Sequence, residues 1–158
     1  MRILGIDPAL TCLGWGVIQL DAPKIHYINS GVIKTNAKTA LHTRLAEIVS
    51  SVEDVIIKYK PEAIAMEETF VNLNAVSSLK LGYVRGALMS VIGKTGLPYH
   101  EFLPNRIKKA IVGVGHAEKD QVNHMIKLIM SGTLDHISLD ESDALAVAYT
   151  CLVYKGHL

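Results

Sequence analysis

Two short apolar runs, each followed by or ending at a carboxylate, limit the fold of this 158-residue chain more than any other feature. The first run covers residues 2–7 and ends at Asp7, and the second covers residues 63–66 and is followed by Glu67. Runs this short and this apolar are typical of strands that are buried on both faces of a sheet. Because helices must then cover both faces, the sequence predicts an α/β domain with a mixed sheet that is flanked by helices.

The remaining segments complete the sheet and supply those helices. Residues 13–20 and 25–35 are rich in β-branched and aromatic residues and flank a turn-like segment, so they predict an antiparallel meander with the first strand. From residue 39 to 60 the apolar residues recur at three- and four-residue spacing, which predicts an amphipathic helix that Pro61 ends. Further helices are predicted over residues 74–94, 104–112, 118–130 and 138–155, and one more strand over residues 99–103.

Two of these helices carry additional signals. Ser138 and Glu141 are three residues apart at the start of the last helix, the spacing of a capping box. The helix at 74–94 carries small residues at four-residue intervals, which allow another backbone to approach closely. Either a neighbouring helix or a second subunit could use this stripe, whose members are Ser78, Gly82, Gly86 and Ser90.

Length and composition restrict the class of protein. A chain of this length fits one domain, which we expect to span residues 1–158. Hydrophobic residues make up 49% and charged residues 20%, which excludes a disordered chain, and no apolar stretch reaches the ~20 residues that cross a membrane. Cys12 and Cys151 form no CxxC pair, so we expect small buried thiols in a reducing cytoplasm rather than a disulfide framework or a zinc site.

Four acidic residues are not readily explained as solvated surface charges. Asp7 and Glu67 follow buried strands, where a charge is costly unless something compensates it. Asp140 and Asp143 are three residues apart, so they share one face of the last helix, although acids in a first helical turn are also stabilised by the helix dipole. Glu68 rivals Glu67, because adjacent strand residues point to opposite faces and spacing cannot choose between them.

If these carboxylates converge, their mutual repulsion requires cations. Clustered oxygen ligands suit Mg²⁺, with Mn²⁺ as a substitute, and a pair of such ions is suited to phosphodiester hydrolysis. A phosphate-binding surface is also predicted, because residues 69–110 carry six basic residues against the single acid Glu101 in a chain whose net charge is only +1. The basic residues of this segment that we expect to contact nucleic acid are Lys80, Arg85, Arg106 and Lys108.

An ordered set of motifs resembles the RuvC family of crossover junction endodeoxyribonucleases, whose fold is ribonuclease-H-like. Each motif is weak by itself, but together they cover nearly the whole chain in the family's order. They are residues 4–8 (LGIDP), 65–67 (AME) with Phe70, 79–82 (LKLG) with Arg85 and Gly86, 112–115 (VGVG), 117–119 (AEK), and Asp140 with residues 143–146 (DALA). One departure is Ala9, where the family usually has glycine, and we expect it to alter the turn after the first strand.

The resemblance implies that Asp7, Glu67, Asp140 and Asp143 are the catalytic acids and metal ligands, which selects Glu67 over Glu68. It further implies that Lys108 and Lys119 lie near the scissile DNA and that Phe70 stacks at the junction centre. The implied protein is a homodimer that nicks two strands of like polarity in a four-way DNA junction, during homologous recombination and DNA repair. Its implied cofactor is Mg²⁺, at two ions per active site, and its implied further partner is a branch-migration motor complex.

Three other functions stay open on the sequence alone. A related nuclease could act on RNA or on an RNA–DNA hybrid, because no motif here reports on the 2′-hydroxyl. A non-catalytic junction-binding protein is disfavoured, because such a protein would gain from losing acids that face phosphates. An ATPase of related fold is least favoured, because the chain is too short for two lobes and Leu88 stands where a phosphate-binding loop before Gly93 would need its first glycine.

Overall fold

Five strands form one mixed sheet through the centre of the molecule. In the computed structural model, residues 1–68, 74–115, 118–130 and 136–155 are described. The strands are β1 (Arg2–Asp7), β2 (Cys12–Asp21), β3 (Lys24–Lys34), β4 (Ala63–Glu67) and β5 (Tyr99–Phe102), in the spatial order β3-β2-β1-β4-β5. The helices are α1 (Leu41–Tyr59), α2 (Ala75–Thr95), α3 (Pro104–Val112), α4 (Lys119–Ile129) and α5 (Leu139–Tyr154).

The pairing of the strands confirms the predicted mixed sheet. β1, β2 and β3 pair antiparallel, as expected for a meander, whereas β4 and β5 extend the sheet on the other side of β1 in parallel register. The α/β class with helices on both faces is therefore confirmed. The predicted strand at 99–103 is one residue too long, because Leu103 takes the N-cap position of α3, immediately before Pro104.

Helices cover the two faces of the sheet unequally. On one face, α1 and α2 enclose a core that contains Leu4 and Ile6 of β1. On the other face, α3, α4 and α5 enclose a second core that contains Ile3 of β1. Successive strand residues point to opposite faces, so Gly5 and Asp7 lie on the same side as Ile3, the side that α5 covers.

The structure bears on two expectations, one about membrane-spanning helices and one about the cysteines. Within the described ranges, no helix combines the length and the apolarity that crossing a membrane requires. Both cysteines are free thiols, and Cys151 is buried in the core as expected. Cys12 is only half-buried, at the start of β2, so the expectation of burial is met in part there.

Candidate active site

The parallel pairing of β1 and β4 places Asp7 and Glu67 side by side. Ile6 of β1 is in register with Met66 of β4, so the next residue of each strand lies at the same edge of the sheet. Asp7 and Glu67 project from the face that α5 covers, and both are half-buried. Glu68 follows on the opposite face. The geometry thus places Glu67 rather than Glu68 beside Asp7.

Glycines in the strands let α5 pack directly on this edge of the sheet. A Cβ atom on Gly5 would lie 2.1 Å from the carbonyl oxygen of Ala144, and one on Gly14 would lie 2.1 Å from that of Asp140. Gly16 faces Leu145 in the same way. Because no side chain intervenes, the first turns of α5 lie close to the ends of β1 and β2, which brings the acids of α5 toward Asp7.

The predicted capping box fixes the start of α5. The Ser138 N–H donates to Glu141 Oε2 at 2.8 Å, and the Glu141 N–H donates to Ser138 Oγ at 3.3 Å. Ser30 Oγ of β3 also donates to Glu141 Oε1 at 2.8 Å, which ties the helix start to the sheet. Burial would raise the pKa of Glu141, but these hydrogen bonds from Ser138 and Ser30 outweigh it and hold that pKa below its usual value.

A cleft of about 240 Å³ opens at this edge and contains three of the four predicted acids. Asp7, Glu67 and Asp143 line it from three elements, and Lys108 of α3 lines it from the opposite wall. Its remaining lining is Pro104, Ile107 and Val122. The cleft therefore combines carboxylates with one cationic side chain, an arrangement suited to divalent cations and phosphate.

Asp140 lies at the margin of the cleft rather than in its lining. Its Oδ2 accepts a hydrogen bond from the Cys12 thiol at 3.0 Å. This hydrogen bond raises the pKa of Cys12, with further contributions from burial and from the charges of Asp140 and Asp7, while Lys34 opposes the increase. Cys12 is therefore a neutral donor that links β2 to the acids of α5.

The donor set of the cleft fits a hard cation. Its described lining offers carboxylate oxygens and neither thiolate nor imidazole, which favours Mg²⁺ or Mn²⁺ over zinc. Among the described residues, no three His, Cys, Asp or Glu side chains are already gathered into a metal-binding group. Magnesium does not require such a cage, because it is commonly held by one or two carboxylates together with water and substrate phosphate.

The predicted nucleic-acid contacts are spread over the molecule. Lys108 lies in the cleft, Lys80 is exposed on α2, and Arg106 is exposed on α3 with its guanidinium carbon 5.2 Å from the centre of the Tyr154 ring. Phe70 lies outside the described residues, and the side chain of Lys119, at the first position of α4, is likewise outside the description. Their DNA contacts stay predictions.

Arg85 has a different environment from the other basic residues. Its side chain is only 15% exposed and forms an ion pair with Glu101. Its Nη1 also donates to the backbone oxygen of Glu67 at 2.9 Å. Both contacts lie within the protein, so the structure lends no geometric support to the predicted contact of Arg85 with DNA.

Two residues near the site were not predicted from the sequence. The sequence predicts Cys12 only as a buried thiol, and its face of β2 becomes known from Gly14, which is two residues away and packs against α5. Arg44 of α1 is 7% exposed, and its guanidinium donates to the backbone oxygen of Leu10 at 3.1 Å and to Thr35 Oγ1 at 2.8 Å. It thereby fixes the loop that follows Asp7, for which the sequence carries no local signal.

The backbone φ angles of the loop after Asp7 bear on the expectation for Ala9. Lys60, at the end of α1, is the one non-glycine residue with positive φ in the described parts of the chain. Ala9 therefore has a negative φ and is free of the left-handed backbone strain that favours glycine. The expectation that the Ala9 methyl group alters this turn stays a prediction.

Comparison with known proteins gives a consistent match. The family model described as crossover junction endodeoxyribonuclease RuvC matches residues 3–151. A protein of that name from Rickettsia conorii is 57% identical over 157 residues, covering 99% of this chain and 100% of the relative. The solved structure of Thermus thermophilus RuvC is 31% identical, covers 99% of this chain and 96% of its own, and superimposes with a TM-score of 0.89. A second T. thermophilus RuvC structure, in complex with Holliday junction substrate, is 32% identical, with a TM-score of 0.91 and coverage of 98% and 94%.

Proposed function

This chain belongs to the RuvC family of crossover junction endodeoxyribonucleases, and we propose that it resolves four-way (Holliday) DNA junctions by metal-dependent phosphodiester hydrolysis. It nicks two strands of like polarity symmetrically, in recombination and repair. The observation that carries this proposal is the cleft in which Asp7, Glu67 and Asp143 face Lys108. The family match covers the same strands and helices that build the cleft.

Asp7, Glu67, Asp140 and Asp143 are the residues that would hold the metal in this proposal. When bound, two Mg²⁺ ions supply activation of the attacking water and stabilisation of the leaving oxygen, and Mn²⁺ is suited to replace them. Asp7 lies beside Glu67 of β4 and lines the same cleft as Asp143 of α5, so its carboxylate would contribute to the metal site. Asp143, inside the cleft, is placed to orient the attacking water by accepting a hydrogen bond from it.

The cationic and apolar walls of the cleft serve the substrate. Lys108 reaches the cleft from α3 and would pair with a non-bridging phosphate oxygen of the scissile strand. Lys119 at the start of α4, together with Lys80 and Arg106, would contact the phosphates of the junction arms. Phe70 follows β4 by three residues, and we propose that it stacks on a base at the junction centre.

The exposed surface of α2 supports a homodimer. This helix presents large apolar side chains to solvent, among them Leu79 at 57% and Tyr83 at 45% exposure. A Cβ atom on Gly82 or Gly86 would meet nothing within 4 Å, so a described helix of the same chain does not use the predicted small-residue stripe. A second copy of the chain is the partner we propose for this face.

We further propose that the protein works with a branch-migration motor complex and that it is located in the cytoplasm.

Substitution of neighbouring carboxylates tests the proposed site. In Mg²⁺, Asp7→Asn and Glu67→Gln are expected to lower the cleavage rate on a four-way junction at least about 100-fold, while binding measured in Ca²⁺ is retained. Glu68→Gln is the matched control, because it removes an acid that points away from the cleft and should cleave within a few-fold of the parent. Normal cleavage by Asp7→Asn would contradict the assigned site.

The same assay separates the competing substrates. Cleavage rates are compared on a junction, a linear duplex, an RNA and an RNA–DNA hybrid of matched sequence, all at one salt concentration. We expect paired nicks on the junction and little cleavage of the others. A higher rate on RNA or the hybrid would replace the junction as the substrate while leaving the carboxylate assignment intact.

A further inference from the structure

Arg85 is attached to the strand that carries Glu67, but from the opposite side of the sheet. Its helix, α2, packs through Val84 and Leu88 into the core that contains Met66. The carboxylate cleft lies on the other face, beneath α5. The Arg85 guanidinium is therefore separated from the cleft by the sheet itself, and it acts on the cleft through the backbone of β4.

The contacts of Arg85 fix one particular peptide unit. Its Nη1 donates to the carbonyl oxygen of Glu67 at 2.9 Å. The N–H of the same peptide unit, that of Glu68, donates to the carbonyl oxygen of Phe102 in β5 at 2.9 Å. With both of its polar groups bonded, this peptide plane cannot rotate, so the direction in which the Glu67 side chain leaves the backbone is held.

Glu101 holds the guanidinium in place. It lies on β5 opposite Met66, and its carboxylate forms an ion pair with Arg85 Nη2. The pair is mostly shielded, with Arg85 15% and Glu101 27% exposed, so water screens it less than a surface ion pair. Arginine is suited to hold both groups because its rigid guanidinium donates hydrogen bonds to two acceptors at once, whereas lysine provides a single point charge.

We propose that Arg85 and Glu101 are positioning residues that orient Glu67 for the cleavage reaction, and that Arg85 does not bind DNA. This inference rests on the proposed function, because it requires Glu67 to act in the cleft. It differs from the expectation that Arg85 contacts a phosphate. The two roles make opposite predictions for the salt dependence of junction binding.

The experiment compares Arg85→Ala, Arg85→Lys and Glu101→Gln with the parent chain. Junction affinity in Ca²⁺ is measured over a range of salt concentrations, and the single-turnover cleavage rate in Mg²⁺ is measured at saturating enzyme. We expect Arg85→Ala to leave the affinity and its salt slope unchanged and to lower the cleavage rate about 10- to 100-fold, the range found for residues that orient metal ligands. Arg85→Lys should be intermediate, and the half-maximal Mg²⁺ concentration should rise in all three variants.

Two further variants make the outcome decisive. Lys80→Ala, which removes an exposed lysine from the same helix, should reduce the salt slope by about 1 if it contacts a phosphate. The double variant Arg85→Ala/Glu101→Gln should cleave no more slowly than Arg85→Ala, because the two residues act as one unit. If Arg85→Ala does not fold, Glu101→Gln and Arg85→Lys carry the same test, with thermal unfolding as the check on folding.

The contradicting results are distinct. A salt slope that falls by about 1 in Arg85→Ala, with an unchanged rate at saturation, would make Arg85 a DNA contact and overturn the positioning role. An unchanged rate and an unchanged slope would leave Arg85 with no part in the reaction, which also overturns it. Full activity of Glu67→Gln would instead refute the proposed function, so the two failures are distinguishable.

Discussion

At the scale of single residues, the site depends on side chains that orient the acids as much as on the acids themselves. Asp140 is held by the Cys12 thiol, and the loop after Asp7 is held by Arg44. These contacts join positions that are 128 and 34 residues apart in the sequence. A side chain that accepts such a bond loses rotational freedom, which prepares it to bind a ligand with less loss of entropy.

We predict that the thiol of Cys12 positions Asp140 for cleavage. Cys12→Ala removes the hydrogen-bond donor, so the cleavage rate in Mg²⁺ should fall about 10-fold, at the lower end of the range for such orienting residues. Cys12→Ser keeps a donor at the same position and should retain most of the rate. Single-turnover kinetics with a Mg²⁺ titration measure both effects, and equal rates for the alanine and serine variants would refute the role.

The sequence predicted the acids better than it predicted their supports. Asp7 and Glu67 could be predicted as candidate site residues because each ends a buried apolar strand, where a charge needs an explanation. The choice of Glu67 over Glu68 required either the family motifs or the register of β1 with β4, which no local pattern encodes. Arg85 is the clearest case that the sequence could not predict. A basic side chain is normally expected at the surface, and only the structure shows that Arg85 bonds to the Glu67 backbone and to Glu101.

At the scale of secondary-structure elements, α5 positions the site because glycines admit it to the sheet. A Cβ atom on Gly5 or Gly14 would collide with the backbone of α5, and one on Gly16 would collide with the side chain of Leu145. The capping box predicted the helix and its start at Ser138. The closeness of helix and sheet was not predicted, because it depends on which strands lie beneath the helix.

Gly5→Ala should therefore damage both stability and activity. The added methyl group would lie 2.1 Å from the Ala144 oxygen and 2.6 Å from the Ala148 nitrogen, so α5 must move away from β1. We expect a loss of about 1–3 kcal/mol in the free energy of unfolding, together with a large drop in cleavage because Asp143 moves with the helix. Urea unfolding and junction cleavage measure the two effects.

Gly93→Ala is the matched control for this substitution. Gly93 lies in α2, and a Cβ atom there would meet nothing within 4 Å. Alanine also has the higher helix propensity, so the free energy of unfolding should stay the same or rise by up to about 1 kcal/mol. If Gly5→Ala were as stable as Gly93→Ala and as active as the parent chain, close packing of α5 would not be what positions the acids.

At the scale of the whole molecule, the two faces of the sheet have different tasks. The face beneath α5 carries the carboxylate cleft. The opposite face is covered by α1 and α2, and the outer surface of α2 is apolar although nothing in the described chain covers it. The peptide between Glu67 and Glu68 connects them, since Arg85 of α2 bonds to it. A partner that packs on α2 would thus contact the helix that holds Glu67 in place.

A charged side chain at the centre of this surface should separate the proposed dimer. Gly86 lies on the exposed side of α2 between Tyr83 and Met89, and a Cβ atom there would meet nothing within 4 Å. Gly86→Lys should therefore fold normally yet sediment as a monomer at concentrations where the parent sediments as a dimer. Leu128→Lys is the control, because Leu128 is 66% exposed on α4 and lies outside the proposed interface.

The consequence for cleavage follows from the number of active sites on one junction. A dimer brings two clefts to the substrate and cuts both strands within one encounter, so a cruciform in a supercoiled plasmid is converted to the linear form. A monomer brings one cleft, and its first cut relaxes the plasmid and removes the cruciform before a second cut. We expect linear product from the parent and from Leu128→Lys, but nicked circles from Gly86→Lys. Linear product from a Gly86→Lys protein that sediments as a monomer would show that paired cutting does not depend on this surface of α2.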